Sequence, residues 1–142
     1  MLISTKGRYA LRVMIELAEH KSHEYVPLKD IAMKQGISIK YLESIIPILS
    51  KSGIIDGLKG KGGGYRLNRS PEEYSVGDIL RLTEGSLVPV TCLNDKPNKC
   101  EKAASCRTLP MWEGLSTVIT NYLDNYSIAD LIDQSRKGEY YI

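Results

Sequence analysis

The chain has 142 residues, a formal charge of +2, 42% hydrophobic residues and three cysteines. That length holds one ordinary core with an appendage. No apolar run approaches the roughly 20 residues that span a bilayer, and the most apolar early run, Leu11 to Ala18, is broken by Arg12 and Glu16, which argues against a membrane span and a signal-peptide core. An odd number of cysteines cannot close fully into disulfides, so a reducing, cytoplasmic setting is expected, with no membrane partner. The charge is unevenly spread: residues 1–70 carry 12 Lys/Arg against 6 Asp/Glu, and residues 71–142 carry 7 against 11. A basic front half and an acidic rear half point to a polyanion-facing module joined to a part with another task.

Taken in order, residues 5–20 place Tyr9, Leu11, Val13, Met14, Leu17 and Ala18 near helical spacing, with Arg12, Glu16 and Glu19 elsewhere. This predicts an amphipathic helix capped by Ser4 or Thr5. Thr5, Lys6 and Arg8 sit at its first turn, where free backbone amides would favour a phosphate. A solvated basic start fits the same residues. Pro27 opens a second helix with Leu28, Ile31 and Ala32 on one face, ending near Gln35-Gly36. Ser38 then caps a third, running to about Ser52-Gly53, with Leu42, Ile45, Ile46 and Leu49 as its core face. Pro47 should kink that helix or end it early, because it removes a hydrogen bond to the carbonyl of Glu43.

Short helix, glycine turn and longer helix make a helix-turn-helix. Its second helix can lie in the DNA major groove with Ser38, Lys40, Tyr41 and Glu43 toward the base edges. Immediately afterwards, Gly57 to Gly64 holds five glycines and the two cations Lys59 and Lys61, between an apolar start and the alternating Tyr65-Arg66-Leu67. Two short strands joined by a cationic loop are predicted. Alone, that hairpin needs no partner. Behind a helix-turn-helix it reads as the wing of a winged helix, with lysines that attract phosphates without regard to sequence. Glu43 is the base-reading candidate, since a carboxylate facing DNA is repelled unless a donor such as cytosine N4 meets it. An exposed helix carboxylate is the plain alternative.

After a polar connector at residues 68–73, Ser75 caps a helix whose Val76, Ile79, Leu80 and Leu82 can cover the module, and Gly85 ends it. Residues 86–109 lack any period and hold Cys92, Cys100 and Cys106. Pro110 opens a helix striped with Met111, Leu115, Val118, Ile119, Tyr122 and Leu123. Such a stripe pairs with the same helix of a second subunit or folds back on its own module. Ser127 caps a last short helix to Ile132. The expected fold is therefore mainly α with a small β wing: a winged helix-turn-helix over residues 1–85, a cysteine-bearing sensor loop over 86–109, and a long dimerisation helix with a C-terminal tail over 110–142.

The opening Ser4-Thr-Lys-Gly-Arg-Tyr-Ala-Leu11, the central Tyr41-Leu-Glu43 and the wing Gly60-Lys-Gly-Gly-Gly-Tyr65 resemble the winged-helix regulators typified by IscR, NsrR and CymR, over essentially the whole chain. The resemblance implies a homodimer gripping an inverted repeat in double-stranded DNA, usually as a repressor. On that basis Thr5, Lys6 and Tyr9 join the DNA-facing set, and Lys59 or Lys61 would enter the minor groove. It also implies an iron-sulfur cluster held by a cysteine trio such as Cys92, Cys100 and Cys106, thiolates being the usual cluster ligands.

This chain departs from the resembling sensors in several places. The gap between Cys92 and Cys100 is longer, Leu109 stands where a histidine ligand would, and Arg8 where a partner's carboxylate would. Asp95, Glu101 or an external thiol is left as fourth ligand. A thiol redox switch, a zinc site and incidental cysteines are the other readings of the trio. The terminal Tyr140-Tyr141-Ile142 is similar to a CymR-like end that engages cysteine synthase. The alternative function is thus a cysteine-metabolism repressor controlled through that tail, without a cluster, and a frayed terminus is its plain counterpart. His20 and His23 fall in a polar turn and read as solvent-exposed. No histidine stands near Cys106 or Ser105 to act as a base, and there is no P-loop or paired acidic motif, so no enzyme is expected.

Overall fold

Four serines start four of the helices in the computed structural model, which describes residues 2–21 and 24–133. Ser4, Ser38, Ser75 and Ser127 each accept a hydrogen bond from the amide three residues on, satisfying a donor that a helix start leaves unpaired. The helices are α1 (Thr5–Ala18), α2 (Leu28–Gln35), α3 (Ile39–Lys51), α4 (Val76–Glu84), α5 (Leu109–Asp124) and α6 (Ile128–Ile132). The antiparallel strands β1 (Ile55–Leu58) and β2 (Gly64–Leu67) pair Ile55 with Leu67 and Leu58 with Gly64. The fold is mainly helical with a small two-stranded wing, as the sequence predicts.

Some local expectations shift. Pro27 is the cap of α2 rather than its first residue. Pro47 neither ends nor shortens α3, which continues to Lys51. Leu42, Ile45, Ile46 and Leu49 are all buried against the core, so side-chain packing offsets the one missing backbone bond. Leu82 does not cover the module. It is exposed, while Val76, Ile79 and Leu80 of α4 are buried. His20 is not free in solvent either: its Nε2 lies 2.9 Å from the Glu16 carboxylate. His23 and the tail residues Tyr140, Tyr141 and Ile142 lie outside the described residues.

Ala10, Val13, Met14 and Leu17 on α1 run through the centre of the core, with Ile31 of α2, the α3 face, Ile79 of α4 and Ile128 of α6 around them. The last described helix therefore shares a core with the first. A smaller cluster of Val76, Leu80 and Leu87 receives Leu123 from the end of α5 and Tyr126 from just beyond it. Between these two anchor points the chain makes an excursion, residues 88–122, in which α5 buries none of its residues.

The wing is stitched to the helix-turn-helix by a backbone pair outside its own strands. The Val26 amide donates to the Tyr65 carbonyl at 2.8 Å, and the Tyr65 amide donates to the Val26 carbonyl at 2.9 Å. That approach requires glycine next door. A Cβ on Gly64 would lie 2.2 Å from the Val26 carbonyl oxygen, and one on Gly63 would lie 2.1 Å from that of Leu58. Gly63 is thus dictated by the wing's own backbone and Gly64 by the Val26 backbone laid against it.

Candidate nucleic-acid interface

The first two turns of α3 carry the proposed reading surface. Buried positions 42, 45, 46 and 49 define its inner face, which leaves Ser38, Ile39, Lys40, Glu43 and Ser44 outward and exposed. Glu43 has no side-chain hydrogen bond or ion pair among the described residues, and neither has Lys40. An unpaired carboxylate and an unpaired ammonium on adjacent turns can offer an acceptor and a donor to a grooved polyanion. The Ser38 Oγ accepts from the Tyr41 amide at 3.1 Å, so its proton remains available for donation.

Tyr41 is half-buried rather than projecting. Its ring meets Tyr9 of α1 edge-on at 5.4 Å, and the Arg12 guanidinium lies 5.0 Å from the Tyr9 centroid. Arg12 also donates to the backbone carbonyl and, through Nε at 3.2 Å, to the side chain of Gln35, the last residue of α2. Gln35 in turn donates to Glu16 at 2.8 Å. Glu16 is 5% exposed, and Lys34 Nζ approaches it at 3.8 Å. One polar chain therefore connects α1 to the turn before the recognition helix. Sequence reasoning places Arg12 and Glu16 only on a polar helix face, because their partners lie some twenty residues away.

The start of α1 differs from expectation. Ser4 gives both its amide and its hydroxyl to the Glu84 carboxylate, and the Gly7 amide donates to Ser4 Oγ. A carboxylate of the chain itself thus stands where a phosphate was expected, and it disfavours a second anion beside it. Thr5 is exposed but its Oγ1 accepts from Arg8 at 2.9 Å, while Lys6 is half-exposed. On the wing, Lys59 and Lys61 are exposed and without an ion-pair partner among the described residues.

The thiols are dispersed. Cys92 and Cys106 are half-buried and Cys100 is exposed. Among the described residues no three His, Cys, Asp or Glu side chains converge as a metal site. The donor chemistry suits an iron-sulfur cluster, but the arrangement of the described residues does not form its cradle. Cys106 Sγ lies 3.4 Å from Thr108 Oγ1. That hydroxyl, followed by the Thr108 and Leu109 amides, draws the thiol below its ordinary range.

No described helix is long and apolar enough to cross a membrane. The family described as Rrf2, iron-dependent transcriptional regulator, matches residues 3–134. The chain is 36% identical to the HTH-type transcriptional regulator IscR of Aliivibrio salmonicida over 132 residues, covering 93% of this chain and 77% of that protein. It is 37% identical to the protein rrf2 of Nitratidesulfovibrio vulgaris over 132 residues, covering 93% and 87%. Among solved structures, CymR, the global cysteine regulator of B. subtilis, superposes with a TM-score of 0.77 at 34% identity, covering 94% of this chain and 98% of that one. The IscR of T. potens does so at 0.74 and 36%, covering 95% and 88%. With a winged helix whose recognition face is open and a regulator likeness along nearly its full length, the chain belongs to the Rrf2 family of transcriptional regulators and is not an enzyme.

Proposed function

We propose that this protein is a cytoplasmic repressor that grips an inverted repeat in duplex DNA as a homodimer, with α3 in the major groove and Lys59 and Lys61 of the wing against the backbone or minor groove. The observation that carries this reading is the exposed, unpartnered Glu43 one turn after Ser38 and Lys40. A carboxylate kept unpaired on a DNA-facing helix gains only where a base donor, cytosine N4 above all, meets it. Tyr9 touches that helix through Tyr41, and Thr5 and Lys6 lie one turn earlier on α1. Dimerisation is supported by α5, where Met111, Leu115, Val118 and Tyr122 are exposed along one stripe and Val118 reaches 64% exposure, more apolar surface than a lone helix leaves in water.

Glu43→Ala is expected to relax base preference more than it weakens total binding. Lys59→Ala should weaken binding to all duplexes and reduce the salt slope by about one. Equal behaviour of the two variants in a titration against specific and random duplex refutes the assignment. Sedimentation of the full chain tests the dimer, and a monomer at micromolar concentration overturns it.

The signal enters, on this reading, through Cys92, Cys100 and Cys106, as iron-sulfur or redox state. The likeness to IscR and three thiols in one loop support it. Because the thiols do not converge within a protomer, cluster assembly requires the loop to rearrange. Anaerobic purification should give a brown protein with stoichiometric iron and sulfide; a colourless, iron-free protein under those conditions removes the cluster. The likeness to CymR supports a second reading, in which Tyr140, Tyr141 and Ile142 bind cysteine synthase and no cluster is used. Unchanged binding of that enzyme after deletion of the three residues excludes it.

A further inference from the structure

Apart from Pro47 in its third turn, every apolar side chain of α3 but one faces inward or lies half-covered. Leu42, Ile45, Ile46 and Leu49 are buried, and Ile48 is half-buried. Ile39, the first residue of the helix, is 46% exposed and takes no part in the core. It sits between Ser38 and Lys40, with Glu43 four residues on. Residues four apart on a helix are surface neighbours, with Cβ atoms about 5–6 Å from each other. Ile39 and Glu43 therefore share one outward line, the carboxylate one turn beyond the hydrocarbon.

We infer that Ile39 reads the 5-methyl group of a thymine in the major groove, one or two base steps from the base met by Glu43. The inference rests on α3 being the recognition helix. Thymine is the one base that presents a methyl group on the major-groove edge, and an apolar side chain is its natural counterpart. Neither Ser38 nor Lys40 can gain from that methyl, and neither can a carboxylate. An isoleucine is β-branched and stiff about its first side-chain torsion, so it meets the methyl with little ordering loss. The spacing is also right. A stack rises about 3.4 Å per base along one strand, which places the Ile39 and Glu43 contacts one to two steps apart. Together they would specify a cytosine with a thymine close beside it in each half-site.

The test uses the full-length protein and a duplex selected from random sequence for tight binding. Each thymine of the selected half-site is replaced in turn by deoxyuridine, which removes the methyl and keeps the pairing. In the unaltered protein, one replacement per half-site should weaken binding about four-fold, the equivalent of one buried methyl-sized group. In Ile39→Ala the same replacement should have no effect, while Glu43→Ala should retain it. Ile39→Ala keeps the core intact, so its thermal midpoint should match that of the unaltered protein and confirm a folded comparison.

Two results overturn the inference: no deoxyuridine position matters in the unaltered protein, or one matters equally with and without Ile39. Either leaves sequence-specific binding standing. If no sequence is selected over random duplex, the DNA-reading role of α3 fails first and the inference falls with it.

Discussion

Tyr9 of α1 meets Tyr41 of α3 edge to face, with ring centroids 5.4 Å apart and planes inclined by 72°. This contact ties the first turn of the recognition helix to the central helix of the core. Such pairs contribute about 0.5–1.5 kcal/mol beyond their buried area. Tyr9→Leu and Tyr41→Leu should each weaken operator binding several-fold, and the double variant should lose less than the two single losses added together. Strict additivity in an equilibrium titration contradicts a shared contact.

Glu16 provides the second prediction. Its carboxylate is buried and accepts from Gln35 at 2.8 Å, with His20 Nε2 at 2.9 Å. Removing it strands a half-buried amide and loosens the α1–α2 junction. Glu16→Ala should lower the unfolding free energy by about 1–3 kcal/mol, with an unchanged denaturant slope. A change in urea midpoint equivalent to less than about 0.5 kcal/mol, the size of an ordinary surface substitution, counts against the network.

Tyr74 is buried behind the wing, where its hydroxyl donates to the Ile54 carbonyl at 2.8 Å and accepts from the Asn68 and Arg69 amides at 3.1 Å each. Burial pushes its phenol up, partly countered by those two amides. The neutral form is thus favoured on folding. Its contribution is full below the unfolded phenol value of about 10 and is lost as the pH rises through the higher folded value. Tyr74→Phe should lose about 1–2 kcal/mol at neutral pH and show a shallower alkaline decline in urea midpoint. Parallel declines for the two proteins disprove the linkage.

At Cys106 the lowered thiol pKa has a kinetic reading, because the thiolate is the reacting form. As the pH is raised from about 6, peptide mass mapping should find Cys106 alkylated ahead of the more exposed Cys100. Thr108→Val should shift the Cys106 profile to higher pH. Earlier labelling of Cys100, together with an unaffected profile in Thr108→Val, contradicts it.

Much of this architecture is legible in sequence because its determinants are local. Ser38 lies three residues from the amide it caps, and Gly63 answers a clash with Leu58 within its own hairpin. What escapes a reading of the sequence is long-range. Glu16 occupies the polar side of an amphipathic pattern, yet Gln35 and Lys34 fold over it. Glu84 takes the start of a helix eighty residues earlier in the chain. Ile128 belongs to a five-residue helix whose burial comes entirely from tertiary packing. The cysteines are visible as a trio, but their dispersal is a matter of loop path, on which spacing is silent.

The pairing of Ser75 with Ser127, flanked by the Val76 amide on the Tyr126 carbonyl at 2.8 Å and the Ile128 amide on the Tyr74 carbonyl at 3.0 Å, brings the chain back to the threshold of α4. Arg81 and Asp124, 2.9 Å apart, rivet the same seam. The cysteine loop and α5 are consequently not a trailing arm but a closed bight, moored to the DNA-binding head at both feet. A pull anywhere along the bight is delivered to the base of α4, and a chain cut short before residue 128 forfeits part of the head's own interior.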